Sequence, residues 1–167
     1  MGAASDLNDL AADVLDACEQ ILEETAGPPA RSYVSHELPA LDCEQLTVHV
    51  TNIGEATSQL PDPLAAGNRR SRVNLTGLVV TIVRCYPTVD DRGRAPTVAA
   101  LNDASALLNG DAWALWNGLW RARGTLFADC DLVFFDGLAP LPAQGGFAGW
   151  VFQLRFELGG YAAAGGS

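Results

Sequence analysis

Nucleophilic catalysis needs a histidine within reach of a serine or cysteine, and a third group to orient it. The chain has two histidines, His36 and His49. His49 sits in the alternating segment QLTVHVTNI (residues 45–53), on its polar side, and His36 sits in an irregular stretch. Cys43 with His49 can be drawn as a dyad or as half a metal site, but the remaining partners are not signalled, and no serine stands in a GxSxG setting. Paired carboxylates occur at Asp90-Asp91 and at Asp129 and Asp131. The latter pair shares one face of a strand and could reach a hard cation together with Asp136, without the spacing of a calcium loop. The glycine-rich run Gly145-Gly146-Phe147-Ala148-Gly149 precedes a strand, whereas a phosphate cradle needs strand, loop, then helix. These glycines read as a turn of unusual φ and a close backbone approach. The sequence therefore predicts a protein that is not an enzyme, with no catalytic residue, metal or cofactor.

The elements that carry these residues follow from periodicity. Residues 5–26 predict an amphipathic helix. Leu7, Leu10, Val14, Cys18, Ile21 and Leu22 lie on one face, Ser5 is its cap, and Gly27-Pro28-Pro29 is its stop. Its other face holds seven carboxylates and no cation, among them Asp9, Asp13, Asp16 and Glu23. That face is either simply solvated, or lines a channel, or meets a basic partner. Residues 30–44 read as irregular and 45–53 as a half-buried strand. Residues 54–72 read as a long loop ending in the arginine cluster Arg69, Arg70 and Arg72. Residues 73–86 read as a central strand, apolar on both faces from Leu78 to Val83 except for Thr81.

A long helix is expected over 96–123, opened by Pro96 and Thr97 and kinked near Asn109-Gly110. It carries an indole ridge of Trp113, Trp116 and Trp120, read as core packing with part of it in a subunit interface. Strands at 126–135 and 148–158 are joined by a Gly- and Pro-rich loop, 136–147. The fold class is α+β: about four largely antiparallel strands with two helices packed on the sheet. Residues 1–158 form a single domain and residues 159–167 a flexible arm.

The chain of 167 residues has a net charge of −10. Residues 1–63 hold twelve carboxylates against one arginine, and residues 64–167 eight against nine. Such acidity argues against tight, sequence-independent nucleic-acid binding, which rests on phosphate neutralisation. No apolar run reaches membrane-spanning length. Cys18, Cys43, Cys85 and Cys130 form no CxxC, and the opening MGAASDLNDL lacks the regions of a signal peptide, so reduced, mostly buried thiols in a cytosolic product are expected.

Several short motifs stand out together: Asp42-Cys43-Glu44-Gln45-Leu46 running into a strand, Val83-Arg84-Cys85 ending a later one, Pro96-Thr97 opening a helix, and Gly145-Gly146 followed by Gly149-Trp150. In this set the chain resembles neck proteins of long-tailed bacteriophages of actinobacteria, the head–tail connectors or tail terminators. The resemblance runs over residues 5–158 through scattered motifs. Additional cysteines accompany the first and last motifs in that family, where this chain has Glu44 and Phe147.

The resemblance implies a virion protein assembled in the host cytoplasm. It would form a ring, commonly sixfold, that ends the tail tube and meets the head connector, with genomic DNA passing through the lumen. Its partners would be further copies of itself, the tube protein and the connector. Arg69, Arg70, Arg72, Trp113, Trp116 and Trp120 are then interface candidates, and Asp9, Asp13, Asp16 and Glu23 lumen candidates. The loops 54–72 and 136–147 are candidates for contacts between subunits or rings. The competing readings are another connector ring or a tail-tube subunit, and a small-ligand-binding or hydrolytic domain with a pocket near Trp113–Trp120 and His49.

Overall fold

A computed structural model describes residues 3–37, 39–57 and 72–158. The elements in chain order are α1 (Ala3–Glu23), β1 (Arg31–Ser35), β2 (Gln45–Thr57), β3 (Arg72–Cys85), α2 (Val98–Leu126), β4 (Cys130–Gln144) and β5 (Phe147–Leu158). The fold is α+β, with one five-stranded sheet in the order β1-β2-β3-β5-β4. All neighbours are antiparallel except β1 and β2, which are parallel.

The two helices cover one face of the sheet. Alternation sends Leu46 and Val48 of β2, Leu78, Val80 and Ile82 of β3, and Phe152, Leu154 and Phe156 of β5 into one core. Val14, Cys18 and Leu22 of α1 and Leu115 and Leu119 of α2 close over them. α1 lies over β1 and β2, and α2 over β4 and β5. The helices meet each other at Gly118, where a Cβ would collide with the side chain of Ile21. β3 takes the central position expected of its two apolar faces, with Val79, Thr81 and Val83 of the reverse face also buried.

The α1 periodicity is as expected, but the helix starts at Ala3, ahead of the expected start at Ser5. Its end is set by Gly27 at φ +83°, whose N–H donates to the Leu22 carbonyl at 2.9 Å. Thr97 caps α2 by accepting from the Ala100 N–H at 3.1 Å, and the helix then runs past the expected end at 123 to Leu126.

Three boundaries differ from the sequence reading. Arg31–Ser35, read as irregular, is the edge strand β1, held by the parallel pairing from Arg31↔Gln45 to Ser35↔His49. Buried Gln45 fastens the crossover that this pairing needs, donating to Tyr33 Oη at 2.9 Å and to the Ala40 carbonyl at 3.3 Å. β2 continues to Thr57, so the expected loop at 54–72 gives up its first residues to a strand, and Arg72 opens β3. Arg69 and Arg70 lie outside the described residues, as does the arm 159–167.

The third difference removes the loop 136–147. β4 runs through Gly137, Pro140 and Pro142 to Gln144. It is the outer strand, where proline removes no ladder donor, and the register shifts between Phe135 and Gly137 and between Leu141 and Gln144 absorb its irregularities. The connection to β5 is the two-residue turn Gly145-Gly146, with φ at +53° and +88°. A segment paired along a strand is not the free contact loop first expected.

Gly149 makes the close approach that the glycine run suggested. A Cβ there would overlap the carbonyl oxygen of Ile82 on the paired strand. Gly149→Ala is expected to cost about 2 kcal/mol by forcing two strands apart. The check is a urea titration beside Gly110→Ala, whose added methyl enters open space on α2 and costs nothing.

Candidate functional site

The motifs behind the resemblance converge at one end of the sheet. β2 enters there after Cys43-Glu44, β3 leaves with Arg84-Cys85, and β5 begins after Gly145-Gly146. The register places Arg84 opposite Ala148 and Cys85 opposite Phe147, and the Tyr86 N–H donates to the Gly146 carbonyl at 2.7 Å. Pro96-Thr97, the remaining motif, opens α2.

Arg84 organises this corner. Its side chain is buried, and its Nε donates to Asp111 Oδ2 at 2.8 Å and its Nη2 to Asp111 Oδ1 at 3.3 Å. Nη1 donates to Glu44 Oε2 at 3.0 Å, and Nη2 also to the Gly27 carbonyl at 2.6 Å. One guanidinium therefore ties β3 to α2, to the start of β2 and to the turn after α1. This fork geometry is what arginine supplies and lysine cannot. Burial works against the charge on Arg84, and the hydrogen bonds and charges of Asp111 and Glu44 more than offset it, so its pKa is raised. Burial pushes the Asp111 carboxyl upward, with Arg84 opposing it.

Glu44 adopts φ +57°, rare for a side-chain-bearing residue. Its carboxylate holds that conformation by accepting from Arg84 and, at Oε1, from the Cys85 N–H at 3.3 Å. Next to it Cys43 and Cys85 form a disulfide across 42 positions of sequence, with Cα atoms 4.6 Å apart. The expectation of four reduced thiols is corrected. The spacing of these cysteines signals nothing locally, and only the pairing of β2 with β3 brings them together. Cys18 is a buried core thiol whose pKa burial pushes up to about 12, so it is inert as a nucleophile.

His49 does not join Cys43 in a dyad, because Cys43 is committed to the bridge. Nor does it form a pocket with the tryptophans. Leu46 and Val48 face the helices, so Thr47 and His49 lie on the reverse face, and the sheet separates His49 from α2. His49 is buried, its Nδ1 has no hydrogen-bond partner, and burial lowers its pKa. The folded state takes up that proton only at a lower pH than the unfolded chain, whose histidine has the ordinary value of 6.5. Its contribution to stability is thus present above pH 6.5 and lost as the pH falls below it. Between pH 7.5 and 5.5 the wild type is expected to lose more stability than His49→Leu, by up to about 1.4 kcal/mol per pH unit in the window. Paired urea titrations at the two pH values check this; equal losses would contradict it.

The tryptophan ridge is divided. Trp116 packs on the core with its ring edge against Phe135, centroids 5.9 Å apart. Trp113 is 70% exposed and Trp120 is 48% exposed. Trp120 also meets Phe135 at 5.2 Å, and Arg123 lies over its ring at 4.0 Å. On α1, Asp9, Asp13, Asp16 and Glu23 are all exposed.

Among the described residues no group of three or more His, Cys, Asp or Glu side chains could hold a metal. Asp136 is instead engaged by Arg155, and Asp90 by Arg94 at 2.7 Å. No helix among the described residues is long and apolar enough to cross a membrane. No protein-family model and no curated protein matches the chain.

Proposed function

We propose that the chain is a structural subunit of a long-tailed bacteriophage neck. It forms a ring of identical copies, six being the common number, that terminates the tail tube and joins it to the head connector. Genomic DNA passes through the lumen without specific binding. The observation that carries this reading is the convergence at the sheet end. Three of the scattered motifs resembling those of actinobacterial neck proteins fold into one corner around Arg84 and the Cys43–Cys85 bridge. The α+β fold, with two helices on one face of a small, mostly antiparallel sheet, is also the architecture that the resemblance implies.

The corner is built to hold shape. Its charged groups are used up in internal bonds, and its cysteines in a bridge, so it supplies rigidity. A net charge of −10 suits a subunit past which DNA slides, because it retains few phosphates. The ligand-binding or hydrolytic alternative is disfavoured by the placement of His49 and the exposed tryptophans on opposite sides of the sheet.

Phage assembly with this chain withheld tests the role. Overlong tail tubes and DNA-filled heads without tails are expected. Tails of normal length joined to heads would overturn the proposal.

A further inference from the structure

Half of α2 presents an unusual surface. From Gly110 to Thr125 its exposed large side chains are Trp113, Trp120, Arg121 and Arg123. Its one carboxylate, Asp111, is buried under Arg84. The surface is therefore aromatic and purely cationic. Neither Arg121 nor Arg123 has a carboxylate partner among the described residues, and Arg123 spends its contact on the Trp120 ring. Tryptophan and arginine together are the residue types that dominate binding energy at protein interfaces.

The outer face of α1 is its complement. Asp9, Asp13, Asp16 and Glu23 are exposed, the helix has no basic residue, and none of these four carboxylates pairs with a cation among the described residues. Its small exposed or half-exposed residues, Ala12 and Ala17, leave room for bulky rings. Because α1 covers β1 and β2 while α2 covers β4 and β5, the two surfaces belong to opposite flanks of the layer.

We infer that the Trp113–Trp120–Arg121–Arg123 face of α2 docks on the acidic face of α1 of a second copy of this chain. The inference deepens the ring reading and rests on it. Two different patches meeting head to tail make a heterologous contact, which each copy can offer at both flanks, and which closes into a ring when the rotation allows. Charge complementarity orients the encounter, and burial of the indoles supplies most of the affinity. A nucleic-acid occupant of the same face is disfavoured by the overall charge of −10. The acidic face of α1 is then occupied by a neighbour and does not line the lumen.

A charge-swap mixing experiment tests this. Arg121→Glu/Arg123→Glu makes both faces acidic, and Asp9→Arg/Asp13→Arg/Asp16→Arg makes both basic. All five positions are exposed, so each variant keeps the fold, which circular dichroism checks. By sedimentation velocity at low salt, each variant alone is expected to associate about tenfold more weakly than the wild type or less. An equimolar mixture restores association, because swapped faces pair with swapped and native with native. Trp113→Ser/Trp120→Ser associates weakly and is not rescued by either charge variant. Wild-type association by either charge variant alone, failure of the mixture, or a wild type that stays monomeric would each overturn the inference. The tail-length experiment does not use this surface. Overlong tubes on withholding the chain, together with unimpaired association of the variants, would discard the docking face and keep the neck role.

Discussion

Asp111→Ala is expected to destabilise the protein by about 3–5 kcal/mol. The carboxylate is almost fully buried and takes two of the hydrogen bonds of a guanidinium that is itself buried. Removing it leaves Arg84 in place with only Glu44, which is partly exposed, and the Gly27 carbonyl to hold its charge. The cost is that of an uncompensated buried cation, and it exceeds what the intact pair contributes over an apolar substitute. The control is therefore the double variant Arg84→Met/Asp111→Leu, which removes both charges at similar volume and should recover most of the loss. Urea midpoints of the two variants check this. A loss below about 1 kcal/mol in Asp111→Ala would show that the pair is not desolvated as described.

Breaking the Cys43–Cys85 bridge should have an effect of similar size. The bridge closes a loop of 42 positions, and constraint of the unfolded chain by a loop of that length corresponds to about 4 kcal/mol. Cys43→Ser/Cys85→Ser is expected to show that loss in chemical unfolding, and reductant to shift the wild type but not the variant. Thiol titration of the unfolded, unreduced protein gives the covalent state directly. The bridge leaves two of the four cysteines reactive, and four reactive thiols would contradict it. Set against a total stability of about 5–15 kcal/mol, either loss would unfold a large fraction of molecules at elevated temperature.

Elements with a strong period were legible from residues alone. The leucines and valines of α1, the doubly apolar β3 and the alternation Phe152, Leu154, Phe156 each state their own environment. β1 was not legible, because five residues with no clean alternation become a strand only through pairing with β2. β4 reads as shorter than it is because Gly137, Pro140 and Pro142 are loop signals, and only its place at the sheet edge makes them tolerable. The glycine run was legible for both its roles, the turn at Gly145-Gly146 and the close approach at Gly149.

The corner itself was half visible. Its motifs could be picked out as strings, but neither the Arg84–Asp111 pair, 27 positions apart, nor the disulfide has a local signature. One signal does lie in the sequence: Arg84, directly after the apolar run of a central strand, must be paired to be buried there. The indole ridge illustrates the opposite limit. Spacing placed Trp113, Trp116 and Trp120 on one helix side, but only the position of α2 over β4 and β5 decides that Trp116 turns inward while the other two face out.

Electron cryomicroscopy of the intact phage particle is the decisive experiment. A closed ring is expected at the junction of head and tail, in which each subunit density fits a five-stranded sheet with α1 and α2 on one face, α2 of one subunit meeting α1 of the next. A junction resolved to the same detail with no density that fits this fold would contradict it.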